Sequence, residues 1–196
     1  MTTAVNDLVA RASALLKDTN NTFWSTATLV TFLNEAQLEV VTALPDRHGT
    51  RATVADAITS ALQSLPADAI VLQRVVENTT SKSQIYEVDQ KVMNSELPAW
   101  KSTTGADDAR QWMREPHDPK KFLVYPPSTA SSSYEIDYVA KPAAATAGNN
   151  ITIDDEYGDA LVDYTVARAL SIDSDHADPG RAAAYMASFN ERIGKG

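Results

Sequence analysis

Cysteine is absent from the 196 residues. Disulfides, thiolate metal sites and a cysteine nucleophile are therefore excluded, and a reducing cytoplasm is no obstacle to folding. Basic clusters are missing too. Lysine and arginine number 17 against 26 acidic residues, a net charge of −9, and no basic stripe forms the footprint of a phosphate-binding surface. Sequence-specific DNA binding is not expected; the acidity serves solubility or forms a negative wall past which DNA can slide. No segment approaches the ~18 apolar residues that a membrane span needs. The start, Met1 to Asp7, lacks the basic region and apolar core of a signal peptide, so none is expected. The seven glycines stand singly, which leaves no glycine-rich phosphate loop, and no Gly-x-Ser-x-Gly elbow occurs.

What is present changes texture twice along the chain. Val5, Leu8, Val9, Ala12, Leu15 and Leu16 recur at helical spacing and predict an amphipathic helix over about residues 4–17. Asp18 to Asn21 break it. Ser25 is a natural cap for a second helix, with Trp24 before it and Leu29 placed for a hydrophobic staple, and Pro45 limits that helix. Between Arg51 and Leu65 the spacing of Val54, Ile58, Ala61, Leu62 and Leu65 fits a helix, although the opening Thr and Val residues also suit a strand.

From Pro66 the pattern shortens. Ile70 to Val76 and Ile85 to Val88 read as a hairpin, Phe122 to Tyr125 as a strand ended by Pro126 and Pro127. Tyr134, Ile136, Tyr138 and Ala140 alternate with polar neighbours as the clearest strand, its apolar face inward. Ala143 to Asn150 read as a flexible connection. Asp154 or Asp155 can then cap a helix to about residue 171 that is apolar around much of its circumference and so buried from several sides. Asp178-Pro179 opens a last helix with Ala182, Tyr185, Met186, Phe189 and Ile193 on one face, closed by Gly194. The fold class is therefore α+β: a helical bundle of N- and C-terminal helices, residues 1–65 and 143–196, with a β-rich insertion over residues 66–142.

Chemistry is sparse. His48, His117 and His176 stand apart, without zinc-binding spacing. Asp173, Asp175 and Asp178 beside His176 lack the glycine and distant glutamate of a calcium loop and read as a turn rich in capping residues. Glu156, Asp159 and Asp163 share a helical face, conceivable for acid/base work but better read as a solvated acidic face. No catalytic, cofactor-binding or metal residue is assigned, and no enzyme activity is expected.

Several segments in order resemble a known family. They are Trp24-Ser25, Phe32-Leu33-Asn34-Glu35-Ala36-Gln37, Gln63-Ser64-Leu65-Pro66, Pro98-Ala99-Trp100, Asp118-Pro119, Phe122 to Pro127, Ile136-Asp137-Tyr138, Lys141-Pro142, Glu156-Tyr157 and Leu161-Val162-Asp163-Tyr164. Together they are similar to the head-to-tail connector adaptors of tailed bacteriophages. The resemblance implies a virion neck subunit, assembled in the host cytoplasm, that binds the portal protein on one face and a tail protein on the other. It implies a ring of identical subunits, dodecameric like the portal, through which DNA passes without sequence-specific binding and with no membrane involved. Similar proteins are extended over residues 50–65, against the helical spacing noted above. Phe189, Arg192, Ile193 and Lys195, in an end that offers little to bury, are the candidate portal or neighbour contacts, and Glu156, Asp159 and Asp163 a candidate channel wall. The alternatives are a cation-dependent hydrolase using the C-terminal acidic residues, or another neck or tail-completion protein.

Overall fold

The computed structural model describes residues 3–55, 59–103, 108–128, 132–172 and 175–194. In chain order the helices are α1 (Val5–Leu16), α2 (Thr26–Ala43), α3 (Gln90–Glu96), α4 (Gly158–Leu170) and α5 (Pro179–Arg192). The strands are β1 (Gly49–Ala55), β2 (Leu62–Ser64), β3 (Ala69–Asn78), β4 (Tyr86–Glu87), β5 (Gln111–Arg114), β6 (Lys121–Tyr125) and β7 (Ser133–Ala140). The class is α+β. Two compact units result, residues 1–45 with 142–196, and residues 46–141. The sequence pattern instead placed residues 46–65 with the helices.

In the helical unit α4 packs against α1, α2 and α5. One core takes Leu8 and Ala12 from α1, Leu29, Leu33 and Val40 from α2, Leu161 and Val166 from α4, and Phe189 from α5. Local signals behave as capping chemistry requires. The Ser25 hydroxyl accepts the Thr28 N–H at 3.1 Å, with Trp24 and Leu29 buried in the same core. Asp178 accepts the Arg181 N–H at 3.0 Å, with Pro179 opening α5. Neither Asp154 nor Asp155 caps α4, because a short 3-10 turn over Asp155–Tyr157 feeds directly into it, and Asp155 instead accepts the Thr3 N–H at 2.5 Å.

The connection after residue 142 is pinned rather than flexible. Asn34 on α2 accepts the Ala145 N–H at 2.8 Å and donates to the Ala145 carbonyl at 3.0 Å. Gln37, one turn on, accepts the Thr152 N–H at 2.8 Å. Two amide side chains thus satisfy a strandless backbone that would otherwise have to face water. Hydropathy alone gives no sign of this, since the stretch buries little more than Ala145 and Ile151.

The sheet unit is layered. One sheet has the order β1-β7-β3 and the other β2-β6-β5-β4. Alternation along the strands assigns the layers. Phe122 and Val124 of β6, with Trp112 of β5, share a core with Leu72 and Val75 of β3 and with Tyr134, Ile136 and Tyr138 of β7. Leu123 and Met113, pointing the other way, meet Met93 of α3 and Trp100 in a second core. The four-stranded sheet is therefore covered on both faces.

Two expectations change here. Residues 49–55 and 62–64 are strands, as the resemblance implied and the helical spacing did not. Val54 and Leu65 pack on the first core, Ala61 belongs to the second, and Leu62 is exposed, so the spacing mixed residues with separate destinations. Ile58 lies outside the described residues. The expected hairpin is reduced to a bridge between Glu77 and Gln84, after which β4 leaves β3 and pairs in parallel with β5. Asn78 redirects the chain. Its buried amide donates to the carbonyls of Ser83 at 3.2 Å and Ala109 at 2.8 Å and accepts the Ala109 N–H at 3.0 Å.

Candidate assembly surfaces

The acidic face of α4 is built into the helical unit. Asp163 and Asp159 are four residues apart and look toward Ser188 and Arg192, which are four apart on α5. The Asp163 carboxylate accepts from Ser188 at 2.7 Å and from Arg192 Nε at 2.8 Å. Asp159 meets Arg192 at 3.4 Å and also pairs with Arg11 of α1. The Arg11 hydrogen bond outweighs partial burial and, with the Arg192 charge, holds the Asp159 carboxyl below its usual range. Asp163 is buried, whereas Asp159, although ion-paired, is exposed, as is Glu156 in the turn before α4.

The C-terminal residues are equally occupied. Phe189 is 2% exposed and Ile193 3%, both in the helical core, with Tyr164 edge-on to Phe189 at 5.1 Å between ring centroids. Arg192 is held by the two aspartates. This end is therefore helical through Arg192, with Gly194 in the left-handed region just beyond it. The reason is the i, i+4 pair of Phe189 and Ile193, which closes the core below Tyr164. Lys195 lies outside the described residues.

Sequence reasoning missed a cluster at the α1–α2 turn. The buried Asp18 carboxylate accepts the N–H groups of Thr22 at 2.8 Å, Phe23 at 2.9 Å and Trp24 at 3.0 Å. Burial works against ionisation, but those three N–H donors and the His176 charge lower its pKa below the usual value. The turn so held presents Phe23, 61% exposed, packed against His176 with the rings tilted by 53° and their centroids 3.9 Å apart. The signal was an acidic residue a few positions ahead of an aromatic pair, in a segment read only as a helix break. Asp178 is spent as a helix cap, and Asp173 lies outside the described residues.

In the sheet unit a cavity of about 440 Å³ is lined by Glu87 to Lys91, Arg114 and Pro116. Three of its charged groups, Glu87, Asp89 and Arg114, are engaged with each other or the backbone. Arg114 binds Glu87 at 3.0 Å and donates to the carbonyls of Leu72 at 3.0 Å and Gln73 at 2.9 Å. Asp89 caps α3 through the Lys91 N–H at 2.7 Å. No group of three or more His, Cys, Asp or Glu side chains that could hold a metal ion occurs among the described residues. No helix among the described residues is long and apolar enough to cross a membrane.

The geometry is that of surfaces and ion-paired helices. The model of one protein family, described as SU10 adaptor protein, matches residues 3–196. No curated protein matches the chain.

Proposed function

The chain belongs to the SU10 adaptor protein family, which makes it a phage head-to-tail adaptor, and on that premise we propose that identical copies form a ring beneath the portal. The ring is dodecameric to match the portal, receives a tail protein on its other face and continues the DNA channel in the virion neck. The family match over residues 3–196 carries this reading. The net charge of −9 supports it, because a wall without a basic stripe does not trap a passing polyanion. Glu156 and Asp159 are the exposed members of the acidic group and suit such a wall better than the buried Asp163, which Ser188 and Arg192 hold.

Portal or neighbour contact falls to the C-terminal end, with Lys195 near its tip. For Phe189 and Ile193 to take part, the last turn of α5 must leave the helical core. A hydrolase reading has less support: a carboxylate held by a guanidinium is poorly placed to take a proton or hold a cation. Electron microscopy of the particle neck tests the proposal. Density for this chain in a ring directly below the portal is the expected result, and its placement elsewhere in the particle overturns it.

A further inference from the structure

The two edges of the three-stranded sheet differ. The outer side of β3 is occupied by its own unit: Ile85 donates to the Val76 carbonyl at 3.1 Å, and Arg114 covers the carbonyls of Leu72 and Gln73. The outer side of β1 carries no backbone or side-chain partner among the described residues. β1 is seven residues long, against three for β2 and two for β4 at the edges of the other sheet. Long edges are ordinarily blunted by lysine, proline, a bulge or a cover. β1 pairs with β7 without a register shift and contains neither lysine nor proline.

Alternation identifies the open groups. The Ser133 carbonyl of β7 turns toward Thr79, on the β3 side. Tyr134, Ile136 and Tyr138 therefore turn their backbone groups toward β1, where they face Val54, Ala52 and Thr50. Gly49, Arg51, Thr53 and Ala55 are left with N–H and C=O groups pointing outward.

We propose that this edge binds the same edge of a second copy, β1 antiparallel to β1 across a two-fold axis at Ala52. This register sets Gly49 opposite Ala55 of the other copy and Arg51 opposite Thr53, so every outward residue gains a partner. A shift of one residue would present the wrong backbone groups and turn the faces over. Centring on Arg51 would oppose like charges, which is unfavourable, and centring on Thr53 would leave Gly49 unpaired. The faces also match. Thr50, Ala52 and Val54 of both copies lie on the side of the buried core, and Arg51, already bound to Asp137 at 2.8 Å, lies on the charged side. A two-fold contact closes on itself and propagates no ring, so this pairing belongs to the subunit outside the assembly.

The native chain has no cysteine, so a single introduced thiol reports the register. Across the axis the two Ala52 residues form a non-hydrogen-bonded pair with Cα atoms about 4.5 Å apart, within disulfide range. Two Thr50 residues would stand about 13 Å apart along the strands, beyond it. Under mild oxidation Ala52→Cys should give a covalent dimer and Thr50→Cys should not. By sedimentation the native chain should show a twofold rise in mass with concentration. Thr53→Pro, which removes an outward N–H and leaves the β7 pairing, should stay monomeric with an unchanged circular dichroism spectrum. Equal cross-linking of both cysteine variants, no cross-linking of Ala52→Cys, or association that survives Thr53→Pro each overturns the proposal. So does β1 hydrogen exchange that slows only when portal or tail protein is added, which would assign the edge to another chain.

Discussion

The helical and sheet units have similar numbers of residues but hold themselves together differently. The helical unit has one core, to which each of its four helices contributes a stripe. The sheet unit divides its apolar residues between two cores on opposite faces of one sheet, and neighbours in sequence such as Trp112 and Met113 serve different ones. A stripe of period 3.6 can be read locally. A strand that feeds two cores shows a continuous apolar run, and its partner is set by residues far away in the chain.

Because each unit has cores of its own, core truncations should act on one unit at a time, and these are the largest effects expected. Trp112→Ala, at a side chain 1% exposed, should cost about 3–5 kcal/mol, and Leu161→Ala, fully buried, about 2–5 kcal/mol. Each should lower one of two melting transitions in calorimetry and leave the other in place. A single transition that moves with both substitutions would erase the distinction.

The C-terminus sharpens the same comparison inside the helical unit. Ile193 closes the core below Phe189, so Ile193→Ala should cost about 2 kcal/mol, the low end for a buried isoleucine because it lies at a helix end. Removing residues 190–196 should lower the helical transition further, since Arg192 goes with them. A truncated chain that melts like the native one would mean that this end adds nothing to the helical core.

The positions of α1, α2, α4 and α5 were legible because capping residues and apolar spacing agree over long windows. The alternation of β7 was legible for the same reason, since one of its faces is buried throughout. β1 and β2 were not, because helical spacing appeared by chance among residues bound for different cores. The family resemblance was right there, reflecting sequence order that hydropathy cannot supply. The ion pairs of Asp159 and Asp163 were half legible: their shared face could be read, but Arg11 and Arg192 come from other helices, and only the fold brings them near. The open edge of β1 has no hydropathy signal at all, being made of backbone.

Acid should separate the units through Asp18. Its carboxyl titrates below the ordinary value of 3.8, so its ionised form stabilises the helical unit. For a depressed group that contribution is complete above the unfolded value and is lost as pH falls through the folded one. Asp18→Asn should therefore lower the helical transition at neutral pH, and the gap from the native chain should narrow as pH drops below 3.8. The sheet transition should not respond. A gap that stays constant down to the folded value would mean that the three N–H groups are held equally well by a neutral acceptor.

The smallest effect belongs to the charged face of the sheet unit. Asp137 accepts from Arg51 at 2.8 Å and from Arg74 at 2.7 Å, one carboxylate between two guanidiniums, and the Arg51 hydrogen bond leads in lowering its pKa against partial burial. Both arginine side chains are more than half exposed, so water screens them and recovers much of their hydration when the partner is lost. Asp137→Asn should therefore cost about 1 kcal/mol or less, seen as a small fall in the sheet transition that added salt reduces. It leaves the backbone of β7 paired with β1 on one side and β3 on the other. A loss several times larger would mean that this ion triad sets the alignment of the three strands, and that the sheet unit depends on charge where the helical unit depends on its core.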